Sequence, residues 1–258
     1  MKTDLQSPTL LALELSSKRQ SVCILPPSGP PESRAWETTG VRNQAMFAHI
    51  HGLLASVRRT LADLDLLVVG TGPGSFSGIR CALAYAQAAS LPERRPVAGV
   101  CSARTIAYRI LTNGGAAENV AVVGDARRNR LWVARYFRRD HRIDTVQEPV
   151  LATWDEFRTD LAPGTTVVSP DWERLADRLD SLSSHNITLR RQPVSPRAED
   201  AAAIAIGEWA ENDGCFSMPR PIYLHPPVFV KPCDGSRPCS PPAPSCGASA
   251  SSPESPPR

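Results

Sequence analysis

The segment Gly70-Thr71-Gly72-Pro73-Gly74-Ser75-Phe76-Ser77-Gly78 lies between two runs of opposite character. Before it, Leu66-Leu67-Val68-Val69 is the short unbroken apolar run of a strand covered on both faces. After it, Ile79 to Ser90 carries Ala82, Ala84, Ala86, Ala88 and Ala89 and stops before Pro92, as a helix would. A strand that turns through glycines into a helix start leaves several backbone N–H groups aimed at one spot. The turn is therefore a candidate anion or nucleotide cradle, with Gly72, Gly74 and Ser75 as contacts. The competing reading is a tight connection that needs glycine only for its φ angles and close packing, and residue types alone favour it.

Three named chemistries can be tested against the turn. No Lys-Ser or Lys-Thr closes it, so it is not a P-loop. Its glycines at Gly72, Gly74 and Gly78 are spaced one residue too long for a dinucleotide fingerprint. The centre of Gly74-Ser75-Phe76-Ser77-Gly78 is Phe76, which rules out a serine nucleophile elbow.

Strand and helix patterns alternate along the rest of the chain. Leu10 to Leu15 and Ser21 to Leu25 read as a hairpin, and Pro26 to Pro31 as a loop. From Asn43 to Leu61, Met46, Phe47, Ile50, Leu53, Leu54, Val57 and Leu61 recur at helical spacing. Pro96 to Val100, Val120 to Val123, Leu131 to Phe137 and Thr165 to Ser169 read as strands. Ser102 to Leu111, Trp172 to Leu182 and Ala198 to Glu211 read as helices. The class is α/β, with two related halves expected at residues 1–110 and 111–230, the last helix returning to the first half. Lys231 to Arg258 holds 8 of the 25 prolines, 7 serines and 3 of the 7 cysteines, and reads as a disordered tail.

Composition removes several function classes. The net charge is only +3, too little for a protein that grips nucleic acid by bulk charge. Seven cysteines without a CxxC pair fit reduced thiols, and no HxxxH or HExxH spacing offers a metal site. His49 and His51 stand two apart, on different faces of a helix. No leader pattern or membrane-spanning window is found, so the expected compartment is the cytoplasm. Asp171, Glu173, Asp177 and Asp180 share one helix with Arg174 and Arg178, which reads as surface ion pairing rather than acid–base catalysis.

Gly70 to Arg80 closely resembles GTGPGSFTGIR, the signature of the TsaB (YeaZ) family. Further matches follow in order: Leu11-Ala12-Leu13-Glu14-Leu15-Ser16 with Ser21-Val22, Leu64-Asp65, Gly99-Val100-Cys101-Ser102, Asp125-Ala126-Arg127-Arg128, Pro196-Arg197-Ala198 and Pro221-Ile222-Tyr223-Leu224. The resemblance spans Leu10 to Val230. It implies a degenerate, two-lobed actin-like ATPase fold, each lobe a mixed sheet with helices. It also implies a subunit with no catalysis, metal or cofactor of its own. Such a chain pairs with the transferase TsaD, which places threonylcarbamoyl on the adenosine beside the anticodon of tRNAs that read ANN codons. The ATPase TsaE joins the assembly, with ATP or ADP and a metal ion held in the partner subunits. A homodimer in isolation stays open.

Departures from the family pattern agree with a silent site. The first-strand acidic residue of active relatives is here Glu14, and Leu15 replaces a threonine. Arg42-Asn43-Gln44 replaces the family's HSE, with Asn43 still able to cap the helix. In the family the first long helix and the helix behind the glycine turn form the partner contact. That points to Met46, Phe47, Ile50, Leu53, Leu54, Ala82, Tyr85, Ala86 and Ala89, whose apolar width exceeds one core stripe. Seven arginines from Arg127 to Arg142, with Trp132, Tyr136 and His141 between them, suggest a tRNA-contacting ribbon led by Arg127, Arg128 and Arg130. The plainer reading of that run is a solvated hairpin. Two enzyme readings compete with the scaffold: an actin-like ATPase or phosphotransferase using the glycine turn, and a glycoprotease-like hydrolase.

Overall fold

A computed structural model describes residues 7–38, 44–113, 117–140, 142–184 and 186–225. The expected tail from Lys231 to Arg258, Arg42 and Asn43 at the helix start, and His141 lie outside the described residues.

The first sheet grows from the apolar run near the start. β1 (Leu10–Glu14) and β2 (Arg19–Leu25) form the expected hairpin, with Leu13 opposite Val22. β3 (Glu32–Glu37) extends it antiparallel along β2, while β4 (Leu66–Gly70) and β5 (Val97–Val100) join in parallel beyond β1. The order is β3-β2-β1-β4-β5. Farther along, β6 (Asn119–Arg127), β7 (Arg130–Arg139) and β8 (Arg142–Ala152) make an antiparallel meander. β9 (Thr166–Ser169) then lies parallel to β6, and β10 (Thr188–Pro193) parallel to β9. Read from its meander edge, the second sheet runs β8-β7-β6-β9-β10 and repeats the order of the first. Two copies of one mixed topology, three antiparallel strands followed by two parallel ones, make the two-lobed actin-like fold.

Side-chain alternation decides what covers each face. Leu11 and Leu13 point to one side of the first sheet, where α1 (Gln44–Ser56) and α2 (Phe76–Ser90) pack. Leu10 and Ala12 point to the other, where α6 (Ala198–Glu211) lays down Ala201, Ala202, Ile204 and Ala205. In the second sheet, Val120, Val122, Trp132, Ala134 and Tyr136 pack on α3 (Ser102–Thr112). Ala121, Val123, Leu131 and Val133 face α4 (Trp154–Thr159) and α5 (Trp172–Asp180) through Phe157, Trp172, Leu175 and Leu179.

Of the boundaries that differ from the sequence expectation, two have a clear local cause. α1 stops at Ser56, not Leu61, because Arg58 takes φ 51° and the Arg59 N–H reaches back to the Leu54 carbonyl at 2.9 Å. That is a left-handed helix stop built without glycine. α2 starts at Phe76, three residues before expectation, since Ser75 caps it by accepting the Gly78 N–H at 3.2 Å. Among the described residues no helix is long and apolar enough to cross a membrane.

Candidate functional site

The glycine turn connects β4 to α2 and lies directly against the β1–β2 connection. A Cβ on Gly74 would stand 2.1 Å from the Ser16 carbonyl oxygen, and one on Gly78 would stand 2.0 Å from that of Leu15. A Cβ on Gly70 would fall 2.0 Å from Glu14 Oε2. Gly72, at φ 95° before a cis Pro73, presses on Ile79. Gly74 and Gly78 are therefore required by close backbone approach, Gly72 by its φ angle and Gly70 by the Glu14 carboxyl beside it, the structural reading of the motif.

Three amide groups of the turn are spent internally. Thr71 N–H donates to Val100 O at 2.9 Å, Gly72 N–H to Ser102 Oγ at 3.1 Å and Ser75 N–H to Ser16 O at 2.6 Å. From outside, Pro219 to Tyr223 straps across the motif. The Ile222 N–H donates to Thr71 O at 2.9 Å, Pro219 sits over Gly99, and the Tyr223 ring lies 5.1 Å from Phe76. Gly72 and Ser75 thus offer their amides to protein oxygens rather than to an anion, and Gly74 abuts Ser16. Of the expected cradle, Gly72 and Ser75 have their amides engaged within the chain while Gly74 stays exposed, and the motif welds three loops together.

Glu14, at the end of β1, is fully buried beneath this weld. Its Oε1 accepts the Ser16 N–H at 2.9 Å and its Oε2 accepts the Ser102 hydroxyl at 2.8 Å. Burial pushes its carboxyl above the usual range, against the lowering effect of the hydrogen bonds from Ser16 and Ser102. A carboxyl so placed reaches no solvent, and its acceptor positions are occupied by two donors of the same chain. Ser102 was legible only as part of a motif, and its role as the lid on Glu14 carried no sequence signal. Among the described residues no group of three His, Cys, Asp or Glu side chains could hold a metal ion. His49 instead stacks on Trp36 at 4.3 Å.

The expected partner face needs correction. Met46, Ile50, Leu53, Leu54, Ala82 and Ala86 are buried in the chain's own core against the first sheet. The apolar width of α1 and α2 exceeds one stripe because the two helices also touch each other. Met46 meets Cys81 at 4.0 Å between sulfurs, and Phe47 meets the Tyr85 ring edge-on at 5.9 Å. Of the nine residues, Phe47 remains 57% exposed, and Tyr85 and Ala89 are half-buried. The outward stripe of α2 consists of Phe76, Arg80, Ala84, Ala88 and Leu91, with the Arg80 guanidinium 4.5 Å above the Phe76 ring. Sequence periodicity could not separate the two stripes, since both are apolar.

The arginine ribbon is dispersed by strand geometry. Arg128 and Asn129 form the β6–β7 turn with φ 52° and 56°. Arg127 pairs with Asp125 at 3.3 Å, Arg130 with Glu156 at 3.9 Å, Arg139 with Asp144 at 3.3 Å and Arg142 with Glu211 at 2.9 Å. Arg138 donates to Leu111 O, and Arg135 bonds Gln147. On α5, Arg174 pairs with Asp171 at 3.6 Å, as its spacing suggests.

Comparisons with known proteins agree with this architecture. The family described as "TsaD: tRNA N6-adenosine threonylcarbamoyltransferase" matches residues 43–185, more than half of the chain. The "tRNA threonylcarbamoyladenosine biosynthesis protein TsaB" of Escherichia coli is 27% identical over 199 residues, covering 74% of this chain and 84% of that one. An uncharacterized protein of Mycobacterium tuberculosis is 43% identical over 185 residues, covering 71% and 75%. The structure of YeaZ from Pseudomonas aeruginosa superposes with a TM-score of 0.70 at 24% identity, over 83% of this chain and 100% of that one, and so shares the fold. With its glycine signature in place, its doubled sheet order and these relatives spanning most of its length, the chain belongs to the TsaB (YeaZ) family.

Proposed function

We propose that this chain is a non-catalytic scaffold and activator in the synthesis of threonylcarbamoyladenosine in tRNA, in the cytoplasm. It pairs with a TsaD-type transferase acting on tRNAs that read ANN codons, and a TsaE-type ATPase joins them. Nucleotide and metal ion belong to those partners. The observation that carries this reading is the sealed junction. The carboxyl at the position used by active relatives is fully buried, and the glycine turn packs against Leu15 and Ser16. The names of the relatives in Escherichia coli, Haemophilus influenzae and Bacillus subtilis support the pathway.

The partner surface is the outer rim of the α1–α2 pair, centred on Phe47 and Tyr85 and running along Ala84, Ala88 and Leu91. Exposed Phe47 and Leu91 beside small alanines suit the close approach of another pair of helices. If the arginine hairpin touches tRNA, the contact falls to Arg128 at its tip, since its neighbours Arg127 and Arg130 are ion-paired.

The experiment is reconstitution. The purified chain alone should neither hydrolyse ATP nor modify tRNA. It should co-purify with the TsaD homologue of its own organism and raise that protein's transferase activity. ATP turnover that disappears in Glu14→Gln would overturn the scaffold reading in favour of an ATPase.

A further inference from the structure

A cavity of about 440 Å³ opens where the two sheets and the start of α6 meet, well away from the glycine turn in sequence. Its wall carries four guanidinium groups from four different elements. Arg19 begins β2, Arg109 lies near the end of α3, Arg190 belongs to β10, and Arg197 immediately precedes α6. Asn113, Gln192 and Ser195 add polar groups, and no carboxylate or aromatic side chain lines it.

The cations are not mutually compensated. Arg109 is fixed as the floor: its Nη2 donates to Ser195 O at 2.5 Å, and its Nη1 stands 3.6 Å from Asp200 Oδ2. At that distance Asp200 attracts without a good hydrogen bond, and Glu199 beside it accepts from Ser33. Arg19, Arg190 and Arg197 form no ion pair with another described residue. Burial lowers the pKa of Arg109; Asp200 and Glu199 oppose that shift, while Arg197 and Arg19 add to it. Like charges gathered around a cleft disfavour one another in the empty protein, and a multiply charged anion would reverse that cost. Guanidinium forks match phosphate oxygens two at a time, and a cavity of this size accepts a small ligand.

We infer that the cavity bounded by Arg19, Arg109, Arg190 and Arg197 is a phosphate-binding site, suited to two or more linked phosphates. The absence of an aromatic wall means that it grips phosphate oxygens and leaves any attached base unstacked. A free polyphosphate and the backbone of an RNA present the same chemistry. The inference stands apart from the transferase role and from the α1–α2 surface, so failure of either leaves the other intact.

The test is direct binding to the full chain at low salt. Inorganic triphosphate, titrated calorimetrically, should saturate one site per chain. The double variant Arg190→Ala and Arg197→Ala, both exposed positions, should weaken binding at least tenfold. Arg158→Ala, exposed on α4 and outside the cavity, should leave it unchanged. Competition by unmodified tRNA would assign the site to RNA backbone, and triphosphate binding that tRNA does not displace would assign it to free polyphosphate. Absence of saturable binding, or equal weakening by Arg158→Ala, would overturn the inference. Should the double variant misfold, Arg19→Ala supplies the same comparison.

Discussion

Gly78 and Gly207 make opposite demands on the same substitution. In a helix, alanine is ordinarily favoured over glycine by about 1 kcal/mol. Gly207 sits exposed on α6, and a Cβ there would meet nothing within 4 Å. Gly207→Ala should therefore stabilise the protein by up to about 1 kcal/mol. Gly78 is also helical, but its Cβ would lie 2.0 Å from the Leu15 carbonyl oxygen, a backbone atom that cannot rotate away. Separating β1 from α2 to admit one methyl would disturb the bed of Glu14. Gly78→Ala should thus lower stability by about 2 kcal/mol or more, as overpacking of a tight core does. Chemical denaturation of the two variants beside the parent reads both signs. A stabilised Gly78→Ala would mean that the turn is looser than its contacts indicate. The sequence supplied the glycines and their spacing, but not their purpose. Nothing local to residues 70–78 says that Leu15 and Ser16, far earlier in the chain, pack against the turn.

At the scale of elements, reading by periodicity worked for whatever is buried on two sides. β1, β4, β6 and β9 are continuous apolar runs, and each was legible. β3, β8 and β10 were not. All three are sheet edges with almost no fully buried residue, so Glu32 to Glu37 or Thr188 to Pro193 shows no apolar alternation. Short α4 escaped for a related reason, since Phe157 is its only buried side chain. The same blindness merged two stripes of α1. Met46 faces the sheet, while Phe47, one residue on, faces outward. Charge substitution should separate them. Met46→Glu buries an unpaired carboxylate and should destabilise the fold by several kcal/mol. Phe47→Glu should leave the melting temperature within a few degrees while weakening association with the TsaD homologue at least tenfold. Thermal unfolding and affinity measured on the same two proteins decide it. Unchanged affinity in a folded Phe47→Glu would remove α1 from the partner surface.

The whole molecule is tied together by an exchange of helices. α3 follows β5 of the first sheet in sequence, yet it packs Ala103, Ile106, Ala107 and Leu111 on the second. α6 follows β10 of the second sheet and returns to cover Leu10, Ala12, Leu66, Val68 and Ala98 of the first. Arg104 on α3 and Glu208 on α6 form an ion pair where the two helices meet. A cut near residue 113 would therefore separate α6 from the sheet that it covers and α3 from its own. By length alone each half could be a domain, since about 100 residues suffices for an independent core. The crossing makes that insufficient. A fragment of residues 1–113 would present one whole face of its sheet to water. Each bared leucine or valine forfeits about 1.5–3 kcal/mol of burial, and Leu10, Leu66, Val68 and Val100 together forfeit as much as the stability of a small domain. The complementary fragment, residues 114–258, would bare Val120, Val122, Trp132, Ala134 and Tyr136 in the same way. Neither fragment should show cooperative unfolding alone. The two produced together should recombine, because each carries the helix that covers the bared face of the other. Circular dichroism melts of each fragment and of the mixture measure this. A sharp transition in the isolated 1–113 fragment would show that the first sheet is stable without α6, and that the exchange of helices organises the molecule without holding it together.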